Sequence, residues 1–71
     1  MDAVAFAKQN GYDSAKLVTV RGKETIYEPL FNKEGATVGI PCFIVETDGK
    51  FRLTGFDESF EILYYIEREQ P

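Results

Sequence analysis

A tight turn at Asp48-Gly49, flanked on both sides by β-branched and aromatic residues, constrains this chain more than any other feature. Asp-Gly supplies the two positive-φ positions of a type I′ turn, so the flanking residues are expected to form an antiparallel hairpin. Pairing outward from the turn sets Val45 opposite Arg52, and side chains alternate between the two faces of each strand. One face is predicted to carry Cys42, Ile44, Phe51 and Leu53, and the other Phe43 and Val45 with Lys50, Arg52 and Thr54.

The first half of the chain predicts a short helix and a second hairpin. Asp2 is placed to cap a helix that runs to about Gln9 and ends at Asn10-Gly11, a pair that tolerates left-handed geometry. The stretch 17–31 holds two β-rich runs around the polar segment 21–24, which indicates a hairpin with Val20 opposite Thr25. Residues 32–37 are expected to be a polar connection.

The C-terminal segment predicts an amphipathic helix from Glu58 to about Glu69, capped by Asp57. An apolar stripe at helical spacing is expected to face the core. Its members are Phe60, Ile62, Leu63, Tyr64 and Ile66.

The element order is therefore α-β-β-β-β-α, and the predicted fold class is α+β. We expect residues 1–71 to form one domain, in which two helices cover one face of a four-stranded antiparallel sheet. A meander is the simplest strand order, because sequential strands usually neighbour one another. The other sheet face would be left open.

The net charge of −4 lies entirely in the C-terminal segment, where five acidic residues between Asp57 and Glu69 face one base, Arg68. This segment is interpreted as a solvated helix face, with a docking surface for a basic partner as the alternative. A pI of about 4.6 argues against nucleic-acid binding.

Composition argues against several kinds of chemistry. The chain has no histidine and a single cysteine, so a disulfide and a zinc site are not expected. No cofactor motif, conventional catalytic triad or membrane span is recognisable, and we expect a non-enzymatic cytoplasmic protein. The single core of a domain of about 70 residues supplies roughly 3–5 kcal/mol of net stability, and self-association commonly stabilises such small domains further.

The apolar residues on the face expected to be open suggest a protein-interaction surface. In an antiparallel sheet that is covered on only one face, apolar and polar side chains are expected to alternate along each strand. Residues 42–45 are instead apolar at four consecutive positions. The leading hypothesis is a non-catalytic protein-interaction module that self-associates as a homodimer through this face or an edge strand. A different protein is the alternative partner. The predicted contact residues are Phe43, Val45, Val18, Val20 and Tyr27.

A second hypothesis concerns the cysteine. Ile40-Pro41, the strand 42–45, the Asp48-Gly49 turn, the strand 51–53, Gly55 and a closing helix resemble the C-terminal half of thioredoxin and glutaredoxin-like proteins. In that family the proline is cis and lies beside the active-site cysteines. The resemblance implies at most a single-thiol activity at Cys42, because there is no Cys-x-x-Cys motif and the N-terminal half predicts a hairpin. The alternative is a buried structural cysteine.

A third hypothesis follows from the meander, which would bring the first and third turns to one end of the sheet. Four basic residues would meet there and could hold a phosphate or carboxylate. Nearby carboxylates could instead neutralise them. The four candidates are Arg21, Lys23, Lys50 and Arg52.

Overall fold

The computed structural model describes residues 1–31 and 42–69 and confirms the predicted α+β fold class and element order. The predicted connection 32–37 and Pro41 lie outside the described residues. The elements are α1 (Ala3–Gln9), β1 (Ser14–Arg21), β2 (Glu24–Leu30), β3 (Ile44–Thr47), β4 (Lys50–Leu53) and α2 (Phe56–Glu69).

The four strands form one antiparallel sheet in the order β1-β2-β3-β4, as the meander predicts. The β3–β4 hairpin has the register read from the sequence, with Val45 opposite Arg52 and Ile44 opposite Leu53. Asp48 and Gly49 have φ angles of 52° and 80°, the left-handed geometry that a type I′ turn requires.

The β1–β2 hairpin also has its predicted pairing, with Val20 opposite Thr25, but one feature was not predicted. The register shifts between Leu17 and Thr19, so that Val18 occupies a β-bulge. A bulge reverses which residues of a strand share a face with those beyond it. This shift decides where the apolar residues of β1 lie.

Helix α1 begins as predicted. The Asp2 Oδ1 atom accepts a hydrogen bond of 2.8 Å from the Ala5 backbone N–H, which satisfies one of the unpaired donors at the helix start. Gly11, with a φ of +90°, follows the helix end. Seven residues are too few for a stable isolated helix, so α1 depends on its contacts with the sheet.

Helix α2 begins at Phe56, so the prediction that Asp57 caps it is wrong. The helix start is held by the fully buried Ser59, whose hydroxyl donates to the Gly55 carbonyl at 2.7 Å and lies 2.6 Å from the Thr54 hydroxyl. The Thr54 oxygen also accepts a 3.0 Å hydrogen bond from the Phe43 backbone N–H. These bonds tie the end of β4 and the start of β3 to α2. Within the described ranges, no helix is both long and apolar enough to cross a membrane.

The two helices lie on opposite faces of the sheet, so the prediction that both cover one face is wrong. Ile62 of α2 packs in the main core with Ile26, Phe43 and Val45. Val45 pairs with Arg52 of β4, so the side chain of Phe51, which immediately precedes Arg52, points to the other face of the sheet. There it stacks on Phe6 of α1, with ring centroids 5.6 Å apart. Each face of the β3–β4 hairpin is partly apolar, and each has its own helix.

Candidate interaction surfaces

The structure separates the five predicted contact residues. Phe43 and Val45 are 5% and 1% exposed beneath α2, and Val18 packs against the same core. The open face on which they were expected to lie is covered by the chain's own C-terminal helix, so they cannot form a free surface. The prediction placed both helices on the face of Ile44, whereas only α1 packs on that face and α2 covers the face of Phe43 and Val45.

Val20 and Tyr27 lie on the α1 face. Tyr27 is half-buried and contacts Phe51, with ring centroids 6.5 Å apart, whereas Val20 is 55% exposed. Leu17 pairs with Tyr27, and Val20 pairs with Thr25, two residues from Tyr27. The bulge therefore places Leu17 and Val20 on one face although they are three residues apart.

Leu17 and Val20 define what we call the β1 surface. Leu17 is 56% exposed, close to the value for Val20. Strand β1 is at the edge of the four-stranded sheet, and every second backbone unit of an edge strand points away from its only neighbour. The seven-residue α1 is about 10 Å long and packs mainly against β1, yet Leu17 and Val20 remain more than half exposed.

Two of the four basic residues at the hairpin turns are paired with carboxylates of the chain itself. Arg21 is 3.0 Å from the Glu24 carboxylate, and Arg52 is 3.3 Å from the same carboxylate. Arg52 also forms a bidentate salt bridge with Glu58 of α2, in which Nη1 donates to Oε1 and Nη2 donates to Oε2 at 2.7 Å. Lys23 and Lys50 are exposed. Two of the four candidate anion ligands are therefore occupied by carboxylates.

The Arg52–Glu58 pair shifts the pKa of both groups in the direction that favours their charged forms. The hydrogen bond from Arg52 is the largest influence on Glu58 and lowers its pKa from the ordinary value, against the opposing effect of burial. The same bond raises the pKa of Arg52. The pair joins β4 to α2 and was not predicted, because nothing in the sequence places residues 52 and 58 side by side.

Cys42 is a half-buried free thiol. Its Sγ lies 3.9 Å from the Phe43 carbonyl oxygen, and Tyr12 is its aromatic neighbour. Burial raises the pKa of Tyr12, and electrostatic and hydrogen-bonding interactions with the Cys42 side chain raise it further. A carbonyl and a neutral phenol lack the positive charge that activates catalytic thiols. These contacts fit a structural role better than the single-thiol hypothesis.

The outer side of α2 carries an aromatic surface that the sequence analysis assigned in part to the core. Phe56, Phe60 and Tyr64, which we call the α2 stripe, are 58%, 39% and 64% exposed. Their spacing of four residues aligns them along the helix, and the rings of Phe56 and Phe60 meet edge to face at 4.9 Å. The regular spacing is visible in the sequence, but the helix start at Phe56 was missed.

A shallow groove of about 440 Å³ lies between the C-terminal part of α2 and β1. The Arg21 guanidinium carbon is 5.7 Å from the centre of the Tyr65 ring, within range of a cation–π contact. The Tyr65 hydroxyl donates to the Val20 carbonyl at 3.5 Å, a long hydrogen bond. The groove is lined by Arg21, Glu61, Tyr64, Tyr65 and Arg68.

Comparison with family models, curated proteins and solved structures finds no significant match to this chain. The resemblance to the C-terminal half of thioredoxin-like proteins therefore has no support beyond the residues that suggested it. Function must be inferred from the surfaces described above.

Proposed function

We propose that this protein is a small, non-catalytic interaction module of the cytoplasm that self-associates along β1. The proposal depends on one observation, which is that the edge strand presents two large apolar side chains, each more than half exposed, on the same face. The cytoplasmic assignment follows from the unpaired Cys42, which is typical of a reducing compartment.

The geometry of an edge strand suits a symmetric dimer. Two antiparallel copies of β1 would extend the sheet across a two-fold axis, and the same surface would serve on both copies. Leu17 and Val20 of one copy would then approach the same residues of the other. Tyr65 of α2 reaches this edge through its long hydrogen bond to the Val20 carbonyl, but the apolar contact between the two copies does not include it.

The expected dimer is weak. Fully burying an exposed leucine or valine contributes about 1.5–3 kcal/mol, so four half-exposed side chains contribute about 3–6 kcal/mol in total. Association costs about 4–15 kcal/mol, which the new backbone hydrogen bonds must help to offset. Lys16 and the bulge at Val18 disfavour long edge pairing. We therefore expect a dissociation constant in the micromolar to millimolar range, roughly.

Sedimentation equilibrium over micromolar to millimolar concentrations tests the proposal. We expect the wild-type protein to shift from monomer to dimer, and Leu17→Lys and Val20→Lys to remain monomeric. Both positions are exposed, so the free energy of unfolding should change by only about 0.5 kcal/mol. Circular dichroism checks that the variants are folded.

Leu53→Lys is the matched control, because Leu53 lies on the same sheet face but on the opposite edge strand, β4. It should dimerise like the wild type. A wild-type protein that is monomeric at every concentration would refute the proposal. A loss of dimer in Leu53→Lys equal to that in Leu17→Lys would show that β1 is not the contact.

A further inference from the structure

The α2 stripe is a second apolar surface, separate from β1, and it has the form of a docking site. From Phe56 to Tyr64 it extends about 12 Å along the helix. Aromatic side chains are enriched in the centres of protein interfaces, since they contribute large contact areas at little cost in side-chain entropy. Ser59 and Ile62 hold the opposite side of the helix against the sheet, so the stripe is presented from a fixed backbone.

The charge beside the stripe is strongly negative. Asp57, Glu61 and Glu67 are exposed, and none of them has an ion-pair partner among residues 1–31 and 42–69. Glu58 differs from them because Arg52 already neutralises it. The only base on the helix is Arg68, which lies beside Arg21 in the groove at the far end of the stripe.

This charge distribution selects the occupant. A second α2 helix would bring its own acidic side chains against these, and like charges across an interface oppose association. A segment with apolar residues on one side and lysine or arginine beside them complements both properties of the surface. Such a helix docked along an apolar stripe is a recurring mode of peptide recognition.

We propose that the α2 stripe binds a basic amphipathic segment of another protein. The apolar side chains of that segment cover Phe56, Phe60 and Tyr64, and its cations pair with Asp57, Glu61 and Glu67. The contacts at Asp57 and Glu61 are the strongest, because Arg21 and Arg68 weaken the attraction of cations to the nearby Glu67. This inference goes beyond self-association, which uses a different surface.

The test uses two synthetic peptides of about 18 residues, the length of five helical turns. Both carry leucine at positions i, i+3, i+4 and i+7, and the remaining positions are lysine in one and glutamate in the other. Titration into the ¹⁵N-labelled protein should give amide shifts concentrated in residues 56–68 with the lysine peptide only. Added salt should weaken the binding, as expected for exposed charges.

Variants separate the apolar and electrostatic contributions. Phe60→Ala should weaken binding of the lysine peptide by about tenfold or more, as removal of a central aromatic contact does. Phe56→Ala is the second variant and remains informative if Phe60→Ala is poorly folded. The double variant Glu61→Gln/Glu67→Gln should bind more weakly at low salt and show a smaller salt dependence. Leu17→Lys should bind the peptide as the wild type does, which keeps this test independent of self-association.

Three results would overturn the inference. The first is no binding of the lysine peptide at millimolar concentration, and the second is equal binding of the glutamate peptide. The third is a loss of self-association in folded Phe60→Ala, since a second copy of the chain would then be the occupant of the stripe.

Discussion

The orientation of α2 about its own axis can be tested with two substitutions on the same helix. Ile62 is completely buried between α2 and the sheet, whereas Phe60 is 39% exposed. Residues two positions apart on a helix differ in direction by about 200°. Helical spacing alone places Phe60 in the core together with Leu63 and Ile66, so the two substitutions distinguish the structure from that simpler interpretation.

The expected magnitudes differ severalfold. Ile62→Ala removes a buried side chain in contact with Ile26, Phe43 and Val45, and such losses cost about 2–5 kcal/mol. Phe60→Ala forfeits the edge-to-face contact with Phe56 and some partly buried surface, and the aromatic contact accounts for about 0.5–1.5 kcal/mol. A domain of this size has a net stability of roughly 3–5 kcal/mol, so Ile62→Ala should be close to unfolded at room temperature.

Urea and thermal denaturation followed by far-ultraviolet circular dichroism measure these costs. Ile62→Val provides a graded measurement if Ile62→Ala does not fold, because loss of one buried methyl group costs about 0.5–1.5 kcal/mol. In a domain of this length, each 1 kcal/mol lowers Tm by about 4–8 °C. If Phe60→Ala destabilises the protein as much as Ile62→Ala does, α2 is rotated relative to the arrangement described above and the α2 stripe does not exist.

Two further predictions concern the packing of α2 on the sheet. Glu58→Gln should lower the free energy of unfolding by about 0.2–1 kcal/mol near neutral pH, since Arg52 is nearly half exposed to solvent. Because the pKa of Glu58 is lowered on folding, the wild-type advantage is present well above the ordinary value of 4.5 and disappears as the pH falls through the folded-state pKa. Urea denaturation of both proteins between pH 3 and 7, roughly, measures this difference, and a difference that grows on acidification would contradict the assignment. Phe43→Asp should unfold the domain, because it buries an unpaired charge beneath α2, and circular dichroism would show loss of structure. A folded Phe43→Asp variant would show that this residue is accessible.

The turns, the cap of α1 and the pairing next to each turn could be predicted because neighbouring residues specify them. Asp48-Gly49 fixes the β3–β4 pairing through its backbone geometry, and Asp2 fixes the start of α1 through one hydrogen bond. The meander followed from the tendency of sequential strands to be adjacent. The bulge at Val18 has no such local signal, and without it Val18 was grouped with Val20 and Tyr27, although the bulge places Val18 against the core on the other face.

The candidate surfaces were less predictable than the fold. The exposure of a side chain depends on which elements cover its face of the sheet. Phe43 and Val45 were predicted as interface residues because they are apolar, but they are buried in the core. The Arg52–Glu58 pair likewise exists only because the first turn of α2 lies beside Arg52 of β4. The four-residue spacing of the aromatic residues of α2 is visible in the sequence. Their orientation was predicted from helical periodicity, which does not distinguish residues at the centre of a buried stripe from residues at its margin.

The sequence by itself determined the elements of this protein, their order and the pairing next to each hairpin turn, since these depend on residues close together in the chain. Only the tertiary structure decided that the two helices lie on opposite faces and that α2 covers Phe43 and Val45. The physical reason is that both faces of the β3–β4 hairpin carry apolar residues. The alternation of side chains along a strand therefore defines two apolar faces but does not specify which helix packs on which face. That choice left Leu17 and Val20 exposed on β1 and the aromatic residues exposed on α2, the two surfaces to which we assign the function.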